Sequence, residues 1–159
     1  MKSERDQVLG SLTFLVGKRS SVTASYLFFR NRKSQTLTFV DNAGLFNLEN
    51  SVPYADTAEV FSLSLAHAIG ERAMLTADAS RSFSHGDFRV NGSVPNSTGI
   101  DVLSDMRVVE DYFAAAVDVQ HSRHLSSQLR YQFRRYDDKI DNTQDGKVSM
   151  IMATVSMKW

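Results

Sequence analysis

The sequence contains no cysteine, which removes structural disulfides and thiolate metal sites from the options. It therefore has no Cys-x-x-Cys-His either, and any haem associated with the chain would belong to a partner. No apolar run approaches the roughly 20 residues of a membrane-spanning helix, although transmembrane β-barrels never show one. Net charge is absent too. The 18 basic and 18 acidic side chains balance, leaving no field to collect nucleic acid or an acidic substrate. The opening Met1-Lys2-Ser3-Glu4-Arg5-Asp6 has charges with no apolar core behind them, so it does not read as a secretory signal peptide. The length fits a single domain, 1–159.

Alternation is what the chain has in quantity. Val8, Gly10, Leu12, Phe14 and Val16 alternate with Ser11 and Thr13, and Val22, Ala24, Tyr26 and Phe28 alternate with Ser21, Thr23 and Ser25. The pattern restarts with Phe61, Leu63 and Leu65 against Ser62, Ser64 and Ala66, then Ala73, Leu75, Ala77, Ala79 and Phe83 against Thr76, Asp78, Ser80 and Ser82. A third unit sets Phe113, Ala115, Val117 and Val119 against Tyr112, Asp118 and Gln120, then Leu129, Tyr131 and Phe133 against Gln128, Arg130, Gln132 and Arg134. Period two is the signature of a strand with one greasy and one wet face. Helix formers are present, as in Ala114-Ala115-Ala116, but a spacing of two would scatter these residues around a helix.

The expected strands are 7–17, 21–31, 57–69, 72–84, 109–121, 126–137 and 147–159. Tight turns fall at Gly17-Lys18-Arg19-Ser20, Gly70-Glu71-Arg72 and Ser122-Arg123-His124, an internal repeat of about 52 residues. Long connections are expected over 32–56 and 85–108, where Asn91-Gly92, Pro95 and Gly99 are turn signals. Short turns at one end, long loops at the other and strands of about 11 residues are the proportions of a transmembrane barrel.

The final stretch gives this a family likeness. Ile151, Ala153, Val155, Met157 and Trp159 alternate with Thr154, Ser156 and Lys158. A terminal strand closing on an aromatic resembles the last strand of bacterial outer-membrane β-barrel proteins. The resemblance implies an all-β, antiparallel up-and-down transmembrane barrel in the outer membrane. It also implies Trp159 as the signal read by the barrel-assembly machinery, outer-membrane lipid and lipopolysaccharide as surroundings, and a passive pore or scaffold as function. In general pattern the chain is also similar to the porin component of porin–cytochrome conduits, in which a barrel sheathes a multihaem cytochrome. The likeness orients the molecule. Trp159 and the tight turns, with Lys18, Arg19, Arg72, Arg123 and Lys158, would face the periplasm. The loops, with Asp41, Glu49, Asp56, Asp87, Asp101, Asp105, Asp137, Asp138, Asp141 and Asp145, would face outward, and a sharper reading of that acidic rim is divalent-cation binding.

The polar faces favour this over a soluble, lipocalin-like barrel with an apolar ligand inside. A soluble exterior is dense in Lys and Glu. Here the polar set is mostly small hydroxyls and amides with sparse charge, suited to a wet lumen. The expected lumen-lining residues are Ser64, Asp78, Ser80, Asp118, Gln120, Arg130, Gln132 and Arg134. Folding the third hairpin about His124 predicts Asp118 opposite Arg130 and Val117 opposite Tyr131. Phe83, Phe113 and Phe133 are expected toward the outer interface, with Trp159 at the other.

Seven strands are odd, whereas bacterial single-chain barrels have an even number, and open edges are not tolerated in lipid. The expectation is that the chain is the C-terminal portion of a larger barrel, that several copies complete one another, or that 35–50 supplies an eighth strand. No cofactor and no catalytic site is expected. His121 and His124 straddle a turn without a third ligand. Asp141-Asn142-Thr143-Gln144-Asp145-Gly146 resembles half a calcium loop but has Met152 where the bidentate Glu belongs. Ser, His and Asp are abundant, yet no local signature joins them into a triad.

Overall fold

A computed structural model describes residues 2–41, 44–88, 105–140 and 145–158, with side chains described over 3–34, 54–87, 105–140 and 145–158. Seven strands follow in order: β1 (Lys2–Val16), β2 (Ser20–Asp41), β3 (Gly44–Ile69), β4 (Ala73–Phe88), β5 (Met106–Gln120), β6 (Leu125–Asp138) and β7 (Gly146–Met157). They form one sheet in sequential order, every neighbouring pair antiparallel. Among the described residues there is no helix, so the alternation outweighs the alanine runs. Because the strand count is odd, β1 and β7 run in the same direction at opposite edges of the sheet.

The expected strands all form, but they extend further at the loop end. The stretch 32–56 is not a loop for most of its length. It continues the β2–β3 ladder out to Asp41↔Gly44, with register shifts between Gln35 and Leu37 and between Leu37 and Thr38. The described residues of 35–50 therefore lengthen β2 and β3 and add no eighth strand. At 22 and 26 residues, these two strands exceed the roughly 9–11 residues of a tilted bilayer crossing by about twofold.

The tight turns share one construction. Gly17 and Gly70 open the first two with φ of 68°, a left-handed conformation open to glycine without the clash a Cβ would bring. The last residue of each turn then reaches sideways. Arg19 O accepts from Ala68 N at 2.8 Å, Arg72 O from Gln120 N at 2.7 Å, and His124 O from Lys158 N at 2.9 Å. Each turn thus docks onto the end of a strand in the next hairpin or, for the third, onto the end of the terminal strand. The third turn has no glycine. It is a wider loop over His121–His124, closed by His121 N and Ser122 N on Leu125 O and by His124 N donating to Ser122 Oγ at 3.2 Å.

That wider loop corrects the predicted register. Asp118 pairs with Gln128 and Val117 with Leu129, while Arg130 faces Ala116 and Tyr131 faces Ala115. The slip from the predicted pairing is two residues, so it leaves the faces unchanged.

Candidate functional site: two opposed sheet faces

The register assigns every described side chain to one of two faces. One carries the row Phe14–Val22–Leu65–Ala77–Ala115–Tyr131–Ile151 and, one step toward the loops, Leu12–Ala24–Leu63–Ala79–Phe113–Phe133–Ser149. Nothing in the described chain covers it. Ile151 is 73% exposed, Val155 72% and Leu12 66%. In water each such side chain forgoes about 1–2 kcal/mol of burial, and a patch this continuous marks an interaction surface. Its loop-side margin is aromatic. Tyr26 and Phe61 have ring centroids 4.8 Å apart, Phe61 meets Phe83 edge-on at 6.5 Å, and Phe113 and Tyr131 are 6.4 Å apart.

Level with that margin and beyond it the same face becomes ionic. Arg81 Nε lies 3.2 Å from Asp111 Oδ1, Arg107 Nη2 3.1 Å from Asp105 Oδ2, and Asp137 gathers Arg135 at 3.5 Å and Lys139. Lys139 and Arg135, with Arg81 further off, hold the Asp137 carboxyl below its ordinary range, Lys139 by a hydrogen bond as well as by charge. At the turn end of this face, Ser20 Oγ and His67 Nδ1 share a hydrogen bond of 2.7 Å.

The apolar band is oblique to the register. On β1 and β2 it reaches Val8 and Phe28, but the same row continues through Glu59 on β3 to Asp137 on β6. At the other end β6 and β7 carry Leu125 and Met157 past the level where β1 has already turned. The band slides by roughly one residue per strand. Against a strand spacing of about 4.8 Å that corresponds to a strand tilt of about 35°, near the lower end of the tilts of closed barrels.

The opposite face is polar through its middle. Ser64, Asp78, Ser80, Asp118, Gln120, Arg130, Gln132 and Arg134 all lie on it. On β1–β4 short hydroxyls pair across strands, Thr13 with Thr23 at 2.9 Å and Ser25 with Ser62 at 2.7 Å. On β5 and β6 longer groups form a ladder. Gln128 Nε2 donates to Asp118 Oδ1 at 2.8 Å, Arg130 Nη2 donates to the Tyr112 hydroxyl at 3.1 Å, and Arg134 Nε lies 3.2 Å from Glu110 Oε1. The predicted Asp118–Arg130 ion pair is replaced by Asp118–Gln128. At the turn end, Asp118, Gln120, Gln128, Thr154 and Ser156 line a depression of about 630 Å³.

The alanines of β5 on this face are better covered than alanines of the apolar face, although Leu9 and Leu15 on the edge strand β1 are exposed here too. Ala114, 2% exposed, and Ala116 are buried on the polar face, whereas Ala79 and Ala153 are exposed on the apolar one. The cross-strand neighbours of Ala114 and Ala116 on β6 are the long side chains Gln132 and Arg130. At its loop end Tyr54 lies across Gly86, where burial first, then Asp56 and Asp87, raises its phenol.

Sequence reasoning missed an apolar patch on this same face, the row Leu9–Leu27–Val60 with Phe29 beside it, where the Arg5 guanidinium sits 5.7 Å from the Phe29 ring. Alternation was the only signal available, and these residues break it. Trp159 lies outside the described residues, as does most of the calcium-like stretch; its Asp145 Oδ1 accepts from Asp138 N at 2.7 Å. The two turn histidines have separate partners. His121 Nε2 is 2.8 Å from Ser127 Oγ, and His124 Nδ1 donates to Lys158 O at 2.9 Å. Among the described residues no group of three or more His, Cys, Asp or Glu side chains is placed to hold a metal.

Compared with family models, curated proteins and solved structures, the chain matches none.

Proposed function

We propose that these seven strands form part of the wall of an outer-membrane β-barrel acting as a passive pore or scaffold. The apolar face meets lipid and the polar face meets water in the lumen. The observation that carries the reading is the uncovered apolar face, with its aromatic margin and its slide against the register. A half-buried sheet in water would place that face on a core, and the described chain supplies none. A tilted strand array in a bilayer needs the greasy band to run level with the membrane, hence obliquely across the strands. The soluble ligand-binding barrel, with the apolar face inward, is less well supported, because on β5 and β6 the polar side chains are tied into a ladder of their own.

Solubility tests this directly. The chain should require detergent or lipid to remain monodisperse, and should partition with vesicles after alkaline washing. A protein that stays monodisperse in plain buffer would refute the membrane reading.

A further inference from the structure

Two arginines stand four residues apart on β6, both on the polar face, and they are held differently. Arg134 is neutralised, with Nε 3.2 Å from Glu110 Oε1 and its guanidinium 5.4 Å from the Tyr112 ring centre. Arg130 is held by neutral groups. With the Gln132 amide turned so that its carbonyl faces the guanidinium, that oxygen accepts from Arg130 Nε at 2.9 Å and Nη2 at 3.0 Å. The Tyr112 hydroxyl accepts from the same Nη2 at 3.1 Å and lies 3.3 Å from the Gln132 amide oxygen in that orientation.

Among the described residues no carboxylate lies within ion-pair distance of Arg130. Its cross-strand neighbours are Ala116 and Met152, which offer no charge. Asp118, one pair further along β5, is engaged by Gln128, and Asp78 lies on the far side of β5, opposite Ala114. Neutral acceptors fix the planar fork without cancelling its charge. Among the described residues Nη1 has no hydrogen-bond or ion-pair partner, and the cross-strand neighbour on β5 is the small Ala116. A guanidinium held in this way is suited to oxyanions, whose oxygens match its donors.

We infer that Arg130 is an oxyanion contact on the polar face, oriented by Gln132 and Tyr112, for a carboxylate or phosphate group reaching its Nη1 side. Its consequence for permeation, a preference for anions, rests on the pore reading; the contact itself does not.

The test uses the whole chain in detergent micelles, labelled with ¹⁵N-arginine and titrated with inorganic phosphate. The Nε–Hε resonance of Arg130 is identified by its loss in Arg130→Lys, and that of Arg134 by its loss in Arg134→Lys. A saturable shift at Arg130 with little change at Arg134 is expected. The shift should weaken in Gln132→Leu, which keeps the charge and frees the fork. No shift at Arg130, or equal shifts at both arginines, overturns the proposal. In planar bilayers under a salt gradient, Arg130→Gln should then lose anion preference while Arg134→Gln largely retains it. A conducting pore whose Arg130 shows no phosphate response leaves the pore reading standing and this inference refuted. A phosphate response without conductance does the reverse.

Discussion

The two faces of the sheet differ less in composition than in what their side chains touch. On the polar face the middle residues of β5 and β6 satisfy one another through Tyr112, Gln128, Arg130, Gln132 and Arg134. On the apolar face, Leu12, Ile151 and Val155 reach into open space. On β5 and β6 the polar face is knit together by its own side chains, and the apolar face is left uncovered by the described residues. The lesson is that alternation alone says only that two environments exist. On the proposed reading, the face whose polar groups find partners on the protein is the one turned to water.

The largest expected contrast comes from placing the same charge on adjacent residues of β4. Ala79→Arg puts a guanidinium on the loop-side row of the apolar band and should cost up to about 2–4 kcal/mol in a bilayer. Ser80→Arg, one residue along and on the polar face, should be nearly neutral. Reversible unfolding from lipid vesicles measures both, and equal costs would mean that the faces are not lipid and water.

A smaller contrast uses Tyr→Phe on neighbouring strands. Tyr112→Phe removes one of the acceptors for Arg130 and should destabilise by about 1 kcal/mol. Tyr131→Phe on the apolar face loses only a marginal bond to Ser149 Oγ at 3.5 Å and should change stability by less than about 0.5 kcal/mol. Denaturant titration of the two variants side by side checks the order, and a reversal would dissolve the contrast between the faces.

The smallest effect concerns the ionic margin of the apolar face. Asp137 has a lowered folded-state pKa, through Lys139 first and then Arg135 and Arg81. Its contribution is therefore complete above its ordinary value of 3.8 and is lost as pH falls through the depressed folded value. Wild type and Asp137→Asn should differ slightly at neutral pH and converge in strong acid. A difference that grows on acidification would refute the assignment.

Strand number, face assignment and the two glycine turns were legible because period two and a left-handed glycine are local properties. The third hairpin was read two residues out of register. Its turn has no glycine to mark where the strand stops, and Ser122-Arg123-His124 carries no length signal. The long ladder of β2 and β3 was hidden for a different reason. Past Asn31 the backbone pairing continues while the apolar alternation fades, and ladder hydrogen bonds leave no imprint on residue type. The Leu9–Leu27–Val60 row was missed because a polar face was assumed polar throughout. For the candidate site, the eight expected residues share one face of the sheet. The link from Tyr112 to Arg130 depends on two-residue accuracy in register, which the sequence did not provide.

The common direction of β1 and β7 sets a rule of arithmetic for any assembly. In a ring of identical copies sharing one up–down orientation, each β7 would meet the next β1 as a parallel pair, with slanted hydrogen bonds unlike any in this sheet. Turning alternate copies over would restore antiparallel contacts but would place tight turns and loop ends together on both rims. A ring that is antiparallel at every step, with all tight turns on one rim, therefore adds strands to these seven in odd numbers. The two margins of the sheet ask for the same thing: a strand travelling from the turn rim to the loop rim.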